Sequence, residues 1–180
     1  TELCIESIEP NVITHSSAIR SQKSWDSWAR ARVLLAKMLG RKTEPNIITY
    51  SSAVSACEKE AEWIQAQQLL TEMRETGLDP NVITYSAAIA CERNHGWMRA
   101  LTALLAMQRS GLLPSVISYS SAISACERAE EWLQALVLLA EVYESGFQPS
   151  TIVCSATISA CERSAQLNRG LVVLWEWRKK

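Results

Sequence analysis

Histidine and aspartate are almost missing from this 180-residue chain: its histidines are His15 and His95, and its aspartates are Asp26 and Asp79. Their places along the sequence assemble no evident acid/base pair, metal shell or nucleophile relay, so the chain lacks the usual basis for catalysis, and neither a metal nor a cofactor is expected. Glycine is also sparse at 6 residues, and no Gly-rich phosphate loop is present. No run of 18 apolar residues could cross a bilayer, so no membrane insertion is expected. A formal charge of -1 supplies no long-range attraction for a polyanion, which argues against a strong nucleic-acid binder without excluding one, because binding depends on where charge sits. The first residues carry neither a basic start with an apolar segment nor an Arg-rich amphipathic stretch, and residues 1–11 read as the tail of a preceding unit or a cap.

What is present is a period. Proline followed by a small polar residue recurs at Pro10-Asn11, Pro45-Asn46, Pro80-Asn81, Pro114-Ser115 and Pro149-Ser150, at spacings of 35, 35, 34 and 35 residues. A fixed period of this size signals a solenoid, in which each unit covers the apolar face of its neighbour. The units run over 12–46, 47–81, 82–115 and 116–150, with a partial fifth unit and a basic C-terminus over 151–180. About half of the residues are apolar and no stretch is low in complexity, so the whole array should fold.

Each unit opens with a segment such as IITYSSAV or VISYSSAI, whose β-branched residues alone would favour a strand. The wider spacing predicts a helix instead. Tyr50, Val54 and Cys57 fall at i, i+4 and i+7, and Tyr119, Ile123 and Cys126 repeat the pattern, which defines helix A. Asn46 or Asn81 just ahead offers a cap, and intervening Ala and Ser keep the helix slim. Helix B follows, with Trp63, Ala66, Leu70 and Met73 on one stripe and Trp132, Ala135, Leu139 and Val142 on the same stripe two units on. Gly77, Gly111 and Gly146, each three residues before a proline, mark its end. The expected fold is therefore all-α: an α-solenoid of stacked helix-turn-helix repeats.

Trp28, Trp63, Trp97 and Trp132 share one unit position and read as wedges between paired helices. Four cysteines, Cys57, Cys91, Cys126 and Cys161, also share a position; lying on successive units, they read as small core residues of a protein kept in a reducing compartment. His15 and Cys154 replace the helix A tyrosine; His15 reads as a packed or edge histidine and Cys154 as a small core substitute. The acidic Glu60, Glu62, Glu130 and Glu131 read as solvated residues at the start of helix B, where the helix dipole favours them. The third unit is one residue short between Tyr85 and Cys91, so its helix A must lose part of a turn or change phase.

Ile13 and Ser16, Ile48 and Ser51, Ile83 and Ser86, Ile117 and Ser120, and Ile152 and Ser155 are i,i+3 pairs, so each unit repeats an apolar blade beside a hydroxyl. Such a face suits unpaired bases, with apolar side chains on the ring faces and polar groups on the edges. It equally suits close packing, with the serines capping and the isoleucines buried between helices. Helix A ends in Glu58-Lys59, Glu92-Arg93, Glu127-Arg128 and Glu162-Arg163, so each cation that could meet a phosphate carries an adjacent anion.

The 35-residue period, the VITYS opening and the stretch NIITYSSAVSACEKEAEWIQAQQLLTEMRETGLDP together resemble the pentatricopeptide repeat family over nearly the whole chain. The resemblance implies a non-enzymatic, organellar (chloroplast or mitochondrial) protein that addresses single-stranded RNA one base per unit. It implies base-edge contacts from the fifth residue of helix A and the last residue of the unit: Ser16 with Asn46, Ser51 with Asn81, Ser86 with Ser115, and Ser120 with Ser150. Base sandwiching would fall to Ile13, Ile48, Ile83, Ile117 and Ile152, and phosphate contact to Lys59, Arg93, Arg128 and Arg163. A serine paired with a terminal Asn resembles the adenine-preferring combination, so units one and two would favour consecutive adenines; the terminal serines of units three and four depart from the family pattern. The competing expectation is an architectural or protein-binding subunit of a larger organellar complex, docking through the apolar edge from Leu171 to Trp177.

Overall fold

The computed structural model describes residues 27–40, 43–92 and 96–166, with single positions at 17, 168, 170 and 172. Eight helices and no strand occur among the described residues: α1 Ser27–Gly40, α2 Ile47–Glu60, α3 Trp63–Glu75, α4 Val82–Ala90, α5 Trp97–Arg109, α6 Val116–Arg128, α7 Trp132–Glu144 and α8 Thr151–Arg163. The all-α solenoid expected from the period is the fold observed. Helix A of the first unit, with Ile13 and Ser16, and the C-terminal edge other than Val172 lie outside the described residues.

Capping chemistry sets where each helix A begins. Asn46 accepts from the Thr49 N–H at 3.0 Å, while the Asn46 N–H donates back to the Thr49 hydroxyl at 3.4 Å, a reciprocal box that satisfies two otherwise orphan donors. Ser115 and Ser118 form the same box at the start of α6. The B helices end as the glycines predicted: Gly77, Gly111 and Gly146 take φ of 75°, 73° and 77°. The next residue closes a Schellman motif, Leu78 N–H to Met73 O at 2.9 Å, Leu112 to Met107 at 3.2 Å and Phe147 to Val142 at 3.1 Å.

Packing then separates two layers. The A helices (α2, α4, α6, α8) contact one another in succession along their backbones, and each also packs on the B helix before it. Fully buried alanines at the seam, Ala53, Ala88 and Ala122, permit that approach. No two B helices make a comparable backbone contact among the described residues. Neighbouring A helices therefore lie closer together than neighbouring B helices, which puts the A helices on the inner wall. Side chains bridge the wider gap between α1 and α3, where Arg32 donates to Gln65 at 2.7 Å and Gln68 at 2.9 Å.

One hydrophobic core cluster runs from Ala31 to Ala160 without a break between units. The tyrosines Tyr50, Tyr85 and Tyr119 and the B-helix residues Met73, Met107 and Val142 are buried within the stack. Trp63 is buried, whereas Trp28, Trp97 and Trp132 are partly buried against the cluster, so the repeated tryptophan is a wedge whose depth varies. Cys57, Cys91, Cys126 and Cys161 are buried free thiols. Burial, reinforced by Glu60 and Glu62, pushes the Cys57 thiol up to about 12; burial, with Glu131, pushes Cys126 up to about 12 as well.

The short third unit is resolved by truncation rather than by a phase change. Helix α4 spans 9 residues against 14 in α2 and 13 in α6. Its end is supported from the following unit: the Arg128 guanidinium donates to the Glu92 carbonyl at 2.7 Å. The Glu92 carboxylate is itself buried, accepting from the Gly96 N–H at 3.2 Å and lying 3.8 Å from Arg99. A Cβ at Gly96 would fall 2.2 Å from the Glu92 side chain, so a larger residue there would force the carboxylate to shift.

Candidate nucleic-acid interface

The second residue of each described helix A points away from the core. Ile48, Ile83, Ile117 and Ile152 are 55%, 65%, 69% and 69% exposed, which overturns the packing alternative in which they bury between helices. Exposure of one isoleucine per unit, at a fixed place on four consecutive A helices, yields a row of apolar blades along the inner wall. Such exposure costs solvation free energy and contributes nothing to the core.

Between the first two blades lies a cleft of about 330 Å³ whose lining includes Ile48, Ile83, Ser51, Ser55, Lys59 and Asn81. The fifth-place serine, the terminal asparagine and the cation of one unit thus border the same cleft. A second opening of about 450 Å³ lies where α4 stops short, lined by Glu58, Ala90, Ser120, Ser121, Ser124 and Arg128. The paired charges at the ends of the A helices do not behave alike. Lys59 and Glu58 border different openings, Glu92 is turned into the protein, and Arg163 is exposed. Arg128 contacts a backbone carbonyl of the neighbouring unit, and Arg93 lies outside the described residues.

The serines and terminal residues are tied together by a third group that the sequence reading did not single out. Asn81 Oδ1 accepts from both the N–H and the hydroxyl of Thr84, at 3.0 and 2.8 Å. The Thr84 hydroxyl in turn lies 2.8 Å from Ser51 Oγ. The two polar residues assigned to one base are therefore joined through the third residue of the next helix A. One unit on, Ser86 Oγ lies 2.7 Å from Ser118 Oγ, which lies 3.1 Å from Ser115 Oγ. At the following junction the bridge position is Val153, which offers only its N–H, to Ser150 at 3.4 Å, and Ser120 bonds its own helix carbonyl Val116 O at 2.7 Å. The signal was present in the unit openings, IIT, VIT and VIS against TIV.

Each fifth-place serine also donates back to its own helix, Ser51 to Ile47 O and Ser86 to Val82 O, both at 2.7 Å. These are back-bonds within the helix rather than caps, and they leave Ser51 on the cleft. Two further contacts were not legible. Glu60, expected to be solvated, accepts from the N–H and hydroxyl of Ser27 at 2.6 Å and so caps α1. Ala61, Glu130 and Ala165 hold positive φ at the ends of A helices, a role that sequence reading assigns to glycine. Among the described residues no cluster of three or more His, Cys, Asp or Glu could hold a metal ion, and no helix is long and apolar enough to cross a membrane.

The model of the PPR repeat family matches residues 45–91, and that of the pentatricopeptide repeat domain matches residues 102–163, together more than half of the chain. No curated protein matches at a significant level. Among solved structures, PPR10 in complex with an 18-nt psaJ RNA element superposes with a TM-score of 0.75 at 19% identity, over 97% of this chain and 29% of that one. PPR10 from maize superposes with a TM-score of 0.70 at 21% identity, over 96% of this chain and 25% of that one. The chain thus spans under a third of PPR10. The PPR domain of Arabidopsis thaliana protein-only RNase P 1, in complex with tRNA, superposes with a TM-score of 0.70 at 15% identity, over 94% of this chain and 88% of that one. At these identities the likeness is one of fold. With the two family models, the 35-residue period and the stacked A and B helices all in agreement, this chain belongs to the pentatricopeptide repeat family.

Proposed function

We propose that the chain binds single-stranded RNA along its inner wall, one base per unit, as a scaffold rather than a catalyst. The observation that carries this reading is the exposed isoleucine row, with Ser51 and Asn81 lining the cleft between Ile48 and Ile83. A base can insert its faces between Ile48 and Ile83 and present its edge to Ser51 and Asn81. The repeat carries the same reading on to Ile83 and Ile117 with Ser86 and Ser115, and to Ile117 and Ile152 with Ser120 and Ser150. By the same reading Ile13, Ser16 and Asn46 serve the first unit, and two consecutive adenines face units one and two. Lys59, Arg93, Arg128 and Arg163 meet phosphates, with Arg128 contributing least because its guanidinium already serves Glu92. The solved relatives PPR10 and protein-only RNase P 1 were each captured with RNA, which supports this reading, and the family's usual setting supports an organellar location.

The test is equilibrium binding of the purified chain to labelled single-stranded RNAs carrying A, G, C or U at each address, across a salt series. The reading requires a base preference at separate addresses, and an affinity that falls with salt in proportion to the few phosphates met. Equal affinities for all RNAs would remove the one-base-per-unit reading. Absence of binding, with nuclease-insensitive co-purification of another protein, would transfer the role to protein docking, including docking at the Leu171–Trp177 edge.

A further inference from the structure

We infer that Thr84 is a specificity-determining positioning residue that fixes which hydrogen-bonding groups the preceding unit shows to a base. The inference rests on the RNA-binding reading above and goes beyond the two polar residues that reading assigns to each base. Thr84 is fully buried and is not itself presented to the cleft. Its effect passes through Asn81 and Ser51.

Hydrogen counting gives the mechanism. Asn81 Oδ1 has no proton and takes two bonds from Thr84, so the amide is held with its oxygen inward and its NH₂ left for a ligand. The single Thr84 hydroxyl proton is used on that oxygen. Ser51 must then supply the proton for its own contact with Ile47 O or Thr84 Oγ, and keeps accepting capacity toward the cleft. The unit therefore shows a base a fixed order of one acceptor and one donor. Adenine and cytosine offer an exocyclic donor beside a ring acceptor, whereas guanine and uracil offer an exocyclic acceptor beside a ring donor. A fixed order separates these two classes; an amide free to turn over does not. At the last described junction Val153 supplies no hydroxyl, so Ser120 and Ser150 are not locked to each other.

The test uses the full chain and its Thr84→Val, Thr84→Ser and combined Val153→Thr, Ser150→Asn variants, with labelled 12-nucleotide RNAs carrying each base in turn at the addresses of units two and four. Thr84→Val should reduce the discrimination between amino and keto bases at the unit-two address about five- to tenfold, the worth of one hydrogen bond, and leave the unit-four address unchanged. Thr84→Ser should restore it. Val153→Thr combined with Ser150→Asn, which supplies at the unit-four address the hydroxyl and the amide that Thr84 and Asn81 supply at unit two, should raise discrimination there a few-fold, and this gain cannot come from misfolding. Retained discrimination in Thr84→Val, or a flat response in the combined Val153→Thr, Ser150→Asn variant, overturns the inference alone. Failure of the unaltered chain to bind any of the RNAs overturns the RNA reading and this inference with it.

Discussion

Helices α2 and α4 begin alike and end differently. Both open on a terminal Asn that caps the helix, both bury a tyrosine at the fourth place, and both expose an isoleucine at the second. Helix α2 then continues to Glu60, whereas α4 stops at Ala90. The comparison teaches that a solenoid unit is phased from its Pro-Asn start, so a missing residue is absorbed beyond the site and leaves the blades in line. The cost appears at the far end, where a carboxylate is buried and an arginine from the next unit must reach a carbonyl.

The largest expected contrast lies in the wedges that follow these two helices. Trp63→Ala, after α2, should cost about 3 to 5 kcal/mol, because a buried ring leaves a cavity the stack can only partly close. Trp97→Ala, after α4, should cost clearly less, because that ring is only partly buried; the midpoints of urea unfolding followed by circular dichroism give the comparison. Next in size, Arg128→Ala should destabilise the chain by about 1 to 3 kcal/mol by leaving the Glu92 carbonyl without its charged donor. Arg163→Ala, exposed at the equivalent place, should change stability by under about 0.5 kcal/mol in the same assay. Equal losses for the two arginines would show that the short helix needs no support from its neighbour.

A smaller effect, of opposite sign, is expected where α2 ends. Ala61 holds a left-handed φ of 59°. Ala61→Gly should relieve that strain and stabilise by about 0.5 to 1 kcal/mol, net of glycine's greater freedom when unfolded. A shift of the thermal midpoint to lower temperature would contradict it. Smallest near neutrality is the contribution of the buried thiols. Cys57 and Cys126 titrate near 9.0 when unfolded but near 12 when folded, so the folded state holds its protons more tightly. Their stabilising effect is complete below about pH 9 and is lost as pH rises toward 12, and Cys57→Ala should flatten the decline in stability measured between pH 8 and 10.5.

The architecture was legible because it is written several times over. Tyr50, Val54 and Cys57 announce a helix face, and their recurrence as Tyr119, Ile123 and Cys126 rules out coincidence. Gly77, Gly111 and Gly146 announce the ends for a reason of backbone sterics that holds in any fold. What could not be read were the contacts made across 33 to 36 residues, such as Ser27 to Glu60, Ser51 to Thr84 and Arg128 to Glu92. These depend on how far one unit is translated and rotated against the next, which periodicity alone does not specify. The orientation of the isoleucines was left open for the same reason: a helix with apolar residues on two sides does not declare which side meets its neighbour.

The close seam between A helices and the wider spacing of B helices have a mechanical consequence. A strip fastened along one edge bends about that edge, so flexing of this stack opens and closes the outer gaps while the step from Ile48 to Ile83 to Ile117 to Ile152 stays nearly constant. The graduations of the ruler are thereby protected from the suppleness of the body that carries them.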